Sequence, residues 1–178
     1  PKEPKLDSDL EPFRRALRGE AAVIVSVDRR DQILACVAAF AAFGVAPILY
    51  DSDEAHTVAG RIAGRVSGAL MPRRTLMGSG ATRLATLASA GIPVGFPSQA
   101  EEGAAELGVF AAMAVARGLS PSAALRGLTG DAAKMLRIDD RVGRLAPGLD
   151  ADVIVLDGDP LEVASSVVHT FVNGREVQ

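Results

Sequence analysis

The sequence predicts an α/β fold built on a parallel sheet, with a small antiparallel β unit appended at its C-terminal end. Short apolar runs recur at intervals of roughly 20 to 25 residues, and segments of helical character separate them. Beyond residue 141 the long helical segments stop, and the turn-forming groups APG, DGDP and NG follow one another. We therefore expect two parts, residues 1–138 and 139–178.

Each element has its own signal. The predicted parallel strands are the apolar, β-branched runs AAVIVSV (21–27), APILYDS (46–52), SGALMP (67–72) and IPVGFPS (92–98). The predicted helical segments are 10–17, 31–44, 54–64, 81–91, 103–118 and 120–136. In the last of these, Ser120 is a suitable N-cap, and Pro121 fits the first helical position. Asn173-Gly174 predicts a two-residue hairpin turn.

Composition excludes several classes of protein. The chain has 178 residues, is 48% hydrophobic and has a net charge of −3, so a sizeable core is expected and nucleic-acid binding is not. No uninterrupted apolar run reaches the ~18 residues that a membrane span needs. Cys36 is the single cysteine, which excludes an internal disulfide, and we expect it to be a small buried hydrophobe.

The residues that follow Pro1 show no signal-peptide pattern. We expect the chain to be processed, or cut from a longer protein whose upstream part would carry any targeting signal. A cytoplasmic location is favoured on this basis.

Residues 118–177 contain an ordered set of motifs, namely ALRGLT (124–129), GRLAPGLDADVIVLDGDP (143–160) and VNGREV (172–177). This segment resembles the C-terminal end of the metal-dependent amidohydrolases, in the imidazolonepropionase- and dipeptidase-like branch. The matching positions are Ala124, Leu125, Arg126, Thr129, Ala132, Gly143, Leu145, Pro147, Gly148, Asp150, Ala151, Asp152, Asp159, Pro160, Asn173 and Gly174. By turn chemistry these residues build the β appendage, where Asp152 would accept backbone hydrogen bonds at its turn.

The resemblance implies a (β/α)8 barrel with a small β-sandwich, whose active site lies at the carboxyl ends of the barrel strands. This chain would supply barrel strands five to eight and the C-terminal strands of the sandwich. Family members hydrolyse C–N bonds with zinc-activated water. Their ligands are a His-x-His on the first strand, one His after each of strands five and six, and an Asp after strand eight that is also the general base.

The three ligand positions that the resemblance implies for this half all depart from that pattern. AVIVSVDRRDQI, PILYDSDEA and GIPVGFPSQ place Ser26, Asp51 and Gln99 there. A serine hydroxyl is a poor zinc ligand, and an amide cannot accept a proton as a base. A lone carboxylate does not make a tight metal site. We therefore expect this chain to bind no metal or other cofactor.

Other candidates have ordinary interpretations. We expect His56 to be a helix-end histidine and His169 a structural residue of the terminal β unit. Glu101 and Glu102 could project into the barrel mouth, but a solvated loop is favoured. The GSG at 78–80 could hold an anion, but a plain turn is favoured. Ser26 and Ser98 lack a suitably placed histidine base.

A half-barrel would expose strand edges and apolar side chains, so it requires a partner. The partner would be a missing N-terminal barrel half, another polypeptide or a second copy, with no nucleic acid or membrane involved. Three hypotheses follow: a catalytically degenerate amidohydrolase, which we favour; an active C–N hydrolase completed by residues outside this chain; or a metal-free small-molecule binding protein.

Overall fold

The computed structural model describes residues 7–72, 81–98 and 106–177, and this part of the chain contains two sheets. The first is a four-stranded parallel sheet in sequential order. Its strands are β1 (Ile24–Ser26), β2 (Ile48–Tyr50), β3 (Gly68–Leu70) and β4 (Val94–Gly95). Each lies inside one of the four apolar runs, which confirms the predicted parallel α/β fold.

The strand register separates the residues of this sheet into two faces. Ser26, Tyr50, Leu70 and Gly95 are aligned across the strands, so their side-chain positions share one face. The residues one position before them lie on the opposite face. There Leu49, Ala69 and Val94 belong to a buried core with residues of the helices.

Among the described residues one helix precedes β1, and the other helices lie between the strands or after β4. They are α1 (Glu11–Leu17), α2 (Arg30–Ala41), α3 (Ala59–Ile62), α4 (Ala81–Ser89), α5 (Leu107–Ala116), α6 (Pro121–Leu128) and α7 (Gly130–Leu136). The predicted cap is confirmed, because the Ser120 hydroxyl accepts a hydrogen bond from the Ala123 N–H at 3.2 Å. That bond satisfies one of the N–H groups that a helix leaves unpaired at its start.

Two of the predicted helical segments differ in detail. Residues 54–64 form a 3₁₀ turn (Ala55–Val58) that leads into the four-residue α3, rather than one regular helix. Residues 120–136 are divided at Thr129, whose φ of −132° and ψ of −103° lie outside the helical region. The break leaves α6 and α7 as separate short helices.

The second sheet is antiparallel and consists of β5 (Val153–Leu156), β6 (Val167–Val172) and β7 (Arg175–Glu176). Asn173 and Gly174 connect β6 to β7 with φ angles of 50° and 73°. Positive φ at both central residues is what a type I′ hairpin turn requires. The hairpin predicted from Asn-Gly is confirmed.

Asp152 does accept a backbone hydrogen bond, but from a distant part of the chain. Its carboxylate accepts from the Asn173 N–H at 2.8 Å, while the Gly174 N–H donates to the carbonyl of Ala151 at 2.9 Å. The acidic residue therefore holds the β6–β7 turn against the start of β5, rather than closing a turn of its own. Ala151-Asp152 and Asn173-Gly174, which are both part of the resemblance, are therefore hydrogen-bonded to each other.

A methionine fills a notch on the face that Leu70 and Gly95 share. The Met135 side chain of α7 is 2% exposed, and a Cβ on Gly95 would lie 2.9 Å from its methyl carbon. A Cβ on Gly68 would overlap its sulfur. The two glycines thus leave the space that lets α7 pack on this face of the sheet.

Candidate functional site

Ser26 and Asp51 lie at the carboxyl edge of the parallel sheet. Ser26 is the last residue of β1 and is aligned with Tyr50, which Asp51 follows directly. Parallel strands bring their carboxyl ends to one edge, so both residues belong to the same rim. Ser26 is exposed and Asp51 is half-buried.

The backbone of Asp51 has a special conformation. Its φ is 54°, in the left-handed region that aspartate tolerates better than most residues. Its N–H donates to the Leu70 carbonyl at 3.0 Å, which extends the contact between β2 and β3 beyond the strand ends. The residue at the implied ligand position therefore has a structural role through its main chain.

Several other predicted candidates cannot be placed at this rim. Gln99, Glu101, Glu102 and the GSG at 78–80 lie outside the described residues. Ser98 is exposed and follows β4 by three positions. The interpretations of these residues stay predictions.

The two histidines have different surroundings. His56 lies in the 3₁₀ turn after β2, and its Nδ1 lies 2.8 Å from the Asp53 carbonyl, so that nitrogen carries the proton and donates. His169 is exposed on β6, where its Nδ1 contacts the carboxylate of Glu176. Neither imidazole is bonded to Ser26 or Ser98 in the part of the chain that the structure describes.

The sequence interpretation missed a group of charged residues at the rim. Asp28 and Glu54 accept hydrogen bonds from backbone N–H groups of neighbouring loops: Asp28 from Asp53 at 3.4 Å, and Glu54 from Arg30 at 2.8 Å. The Arg83 guanidinium of α4 lies 2.7 Å from the Asp53 carboxylate. The signal available in the sequence was only that acidic residues follow the ends of two strands.

The donor set at the rim does not fit zinc. Ser26 offers a hydroxyl, and Asp51 offers one carboxylate, whereas zinc sites in proteins are built from converging His, Cys and carboxylate ligands. The carboxylates of Asp28, Asp53 and Glu54 already accept hydrogen bonds or an ion pair. Across residues 7–72, 81–98 and 106–177, no three His, Cys, Asp or Glu residues form a group suited to a metal ion.

Cys36 and one cavity lie apart from this rim. Cys36 is half-buried on α2, and burial raises the pKa of its thiol. The reactive thiolate is therefore disfavoured.

A cavity of about 110 Å³ lies at the amino-terminal end of β4. It is lined by Gly91, Ile92, Pro93 and Val94 together with residues of α4, α6 and α7.

None of the helices in the described ranges has the length and apolar character that a bilayer crossing needs.

Sequence comparison matches residues 21–178 to the family described as "Amidohydrolase family". Among curated relatives, the amidohydrolase tasK of Hapsidospora irregularis is 39% identical over 57 residues, which is 32% of this chain and 6% of that protein. Adenine deaminase 4 of Rhizobium meliloti (strain 1021) is 44% identical over 45 residues, which is 25% of this chain and 8% of that protein.

Solved structures share the fold. An amidohydrolase from Thermotoga maritima MSB8 superposes on this chain with a TM-score of 0.85 at 23% sequence identity. The alignment covers 99% of this chain and 48% of the Thermotoga chain. A prolidase in complex with N-methylphosphonate-L-proline gives a TM-score of 0.63 at 22% sequence identity. That alignment covers 93% of this chain and 47% of the prolidase chain. The chain thus spans about half the length of these structures and a small share of the curated relatives.

Proposed function

We propose, from the premise that this chain belongs to the amidohydrolase family, that it is a catalytically degenerate member which forms one half of a barrel and holds no zinc. The observation that carries the proposal is the pair Ser26 and Asp51. They lie side by side at the carboxyl edge of the sheet, where the resemblance leads us to expect two histidines.

The half-barrel part of the proposal rests on topology and length. Four parallel strands in sequential order correspond to half of an eight-stranded barrel. The chain covers 48% of the Thermotoga amidohydrolase while almost all of the chain itself is aligned. We propose that residues 1–138 are the half-barrel and that residues 139–178 are the C-terminal strands of a composite β-sandwich.

The chemical part of the proposal rests on the donor atoms. Zinc would supply an activated water for hydrolysis of a C–N bond. The Ser26 hydroxyl is a poor zinc ligand, and a single carboxylate at Asp51 does not make a tight site without further ligands. The Gln99 amide cannot accept a proton as a general base. With these side chains, this half of the barrel binds no zinc and transfers no proton at the expected positions.

A second candidate function follows from the partial coverage. Because about half of the Thermotoga protein has no counterpart in this chain, residues outside it could supply a complete ligand set. In that case the protein would be an active C–N hydrolase. The relatives are named an amidohydrolase, an adenine deaminase and a prolidase. This alternative therefore specifies the reaction class, hydrolysis of C–N bonds, and no single substrate.

Metal analysis of the protein as isolated tests the proposal. We expect inductively coupled plasma mass spectrometry to measure a zinc content well below one equivalent per chain. This should hold for both the wild type and a Ser26→Ala/Asp51→Ala double variant. One equivalent in the wild type that is lost in the double variant would overturn the degenerate assignment. Matched thermal unfolding of the two proteins verifies that both are folded.

The remaining outcomes separate the alternatives. One equivalent of zinc that persists in the double variant means that residues elsewhere hold the metal, which supports the active hydrolase. A thermal shift with a small amide or nucleobase in metal-free buffer, abolished in the double variant, supports the metal-free binding protein.

A further inference from the structure

The loop that follows β2, residues 51–54, contacts the units on both sides of it. Toward β3, the Asp51 N–H donates to the Leu70 carbonyl at 3.0 Å. Toward β1, the Glu54 N–H donates to the Asp28 carbonyl at 3.1 Å, and the Asp53 N–H reaches the Asp28 carboxylate at 3.4 Å. Through its main chain, the loop is therefore bonded to the end of β3 and to the connection that follows β1.

The same loop also supplies a missing helix cap. The N-cap position of α2 is Arg29, whose side chain makes no capping hydrogen bond. The Glu54 carboxylate accepts from the Arg30 N–H at 2.8 Å instead. A carboxylate at this place satisfies an unpaired N–H and is attracted by the positive end of the helix dipole. The start of α2 thus depends on a residue of the next β/α unit.

An ion pair attaches the loop to the helix of the β3 unit as well. The Asp53 carboxylate lies 2.7 Å from the Arg83 guanidinium on α4, the helix that follows β3. The Arg83 side chain is 24% exposed and that of Asp53 is 50% exposed. The pair is therefore partly shielded from water, which weakens screening by salt relative to a fully exposed pair.

We propose that residues 51–54 form a brace that couples the first three β/α units at the carboxyl edge, with the Asp53–Arg83 ion pair as its adjustable link. Through this brace the position of α4 sets the position of the Asp28–Arg30 loop. The rim then moves as one unit, and ionic strength tunes the coupling. The proposal concerns the rim of the proposed function, but it stands on contacts that are independent of zinc.

Amide hydrogen exchange on the protein as isolated tests the brace with the variant Arg83→Met, which keeps the length of the side chain. We expect exchange at Asp53, Glu54 and Arg30 to become roughly two- to fivefold faster, the range expected for losing a partly exposed ion pair. The matched control is Arg126→Met, because Arg126 pairs with Asp131 at 3.2 Å at the opposite end of the sheet. The control should leave these three amides unchanged.

Added salt supplies a second readout. Exchange at the three amides should accelerate with sodium chloride in the wild type and lose that dependence in Arg83→Met, because the charge pair is then absent. Unchanged amides in Arg83→Met, or equal acceleration in Arg126→Met, would overturn the brace. Asp53→Asn repeats the comparison from the other partner of the pair if Arg83→Met folds poorly. Zinc content does not enter any of these measurements, so failure here is distinct from failure of the proposed function.

Discussion

Gly143 lies where the connection to the C-terminal β unit passes close to α7. Its φ is +96°, and a Cβ there would lie 2.6 Å from the Cβ of Ala133 and 3.2 Å from the carbonyl oxygen of Thr129. Both the backbone conformation and the surrounding space therefore require glycine. The family-like glycine of this segment is explained by packing rather than by chemistry.

We predict that Gly143→Ala lowers the free energy of unfolding by about 2–4 kcal/mol, from backbone strain together with overpacking. The matched control is Gly148→Ala, at a φ of +87° with no atom within 4 Å of the added Cβ. The control should lose only about 1–2 kcal/mol, from strain alone. Urea denaturation of both variants measures the difference, and equal losses would contradict the packing argument.

Cys36 makes stability depend on pH. Burial raises the pKa of its thiol in the folded protein, so the folded state holds this proton more tightly than the unfolded state does. The contribution of the protonated Cys36 thiol to the free energy of unfolding should be intact below the usual thiol pKa of about 8.5. It should fall as the pH rises above that value. Urea denaturation near neutral and near alkaline pH should show a larger loss in the wild type than in Cys36→Ala. Identical losses would refute the assignment.

Individual residues could be predicted where a strand pattern fixes them. The apolar runs 21–27 and 46–52 predicted strands, and the family resemblance singled out Ser26 and Asp51 within them. The structure brings both residues to one rim. Asp28, Glu54 and Arg83 could not be predicted in the same way. Their partners lie on different loops, and which loops meet depends on strand order and on turn geometry rather than on spacing in the sequence.

At the scale of the elements, the N-terminus of α6 offers a direct test. Ser120 accepts a hydrogen bond from the Ala123 N–H, and its hydroxyl lies 3.4 Å from that of Ser122. We predict that Ser120→Ala lowers the free energy of unfolding by about 1 kcal/mol, the usual cost of losing such a cap. Ser122→Ala, inside the first turn, should change it by less than about 0.5 kcal/mol. Thermal unfolding compares the two, and a larger loss in Ser122→Ala would contradict the cap.

The elements that the sequence predicted well are those whose signals are local. Four apolar runs gave four strands, and Asn173-Gly174 gave a hairpin. The structure of residues 54–64 was harder to predict from the sequence. Ala55, Val58 and Ile62 are buried against neighbouring units, and Glu54 caps α2. These tertiary contacts favour a tight 3₁₀ turn over the regular helix that the sequence pattern predicted.

For the whole molecule, apolar surface that a single closed unit would bury is exposed. The side chains of Leu10, the N-cap of α1, and of Phe13 and Leu17 on α1 are spaced as one helical face and are 56%, 66% and 56% exposed. On the antiparallel sheet Ile154 and Val172 are also exposed, as is Val177 directly after β7. Such surfaces are typical of a protein that is completed by further structure.

We predict that Phe13→Ser destabilises the protein by about 1.5–3 kcal/mol, because the proposed completing half of the barrel would bury the face of α1. Phe43→Ser is the matched control, since Phe43 is similarly exposed at 68% but lies outside that face. It should change stability by no more than about 0.5 kcal/mol. Denaturation of the protein as isolated gives both values, and equal effects would argue against a completing half at α1.

The methionine that fills the glycine notch also constrains the order in which the chain can fold. Met135 follows Gly68 by roughly 70 residues, a long loop to close before the contact forms. A chain emerging from the ribosome therefore makes β3 and β4 before it makes the methionine that covers their glycines. Until Met135 is made, the space beside Gly68 and Gly95 lacks the side chain that fills it. We expect chaperone binding in that interval to protect the apolar residues around it from aggregation.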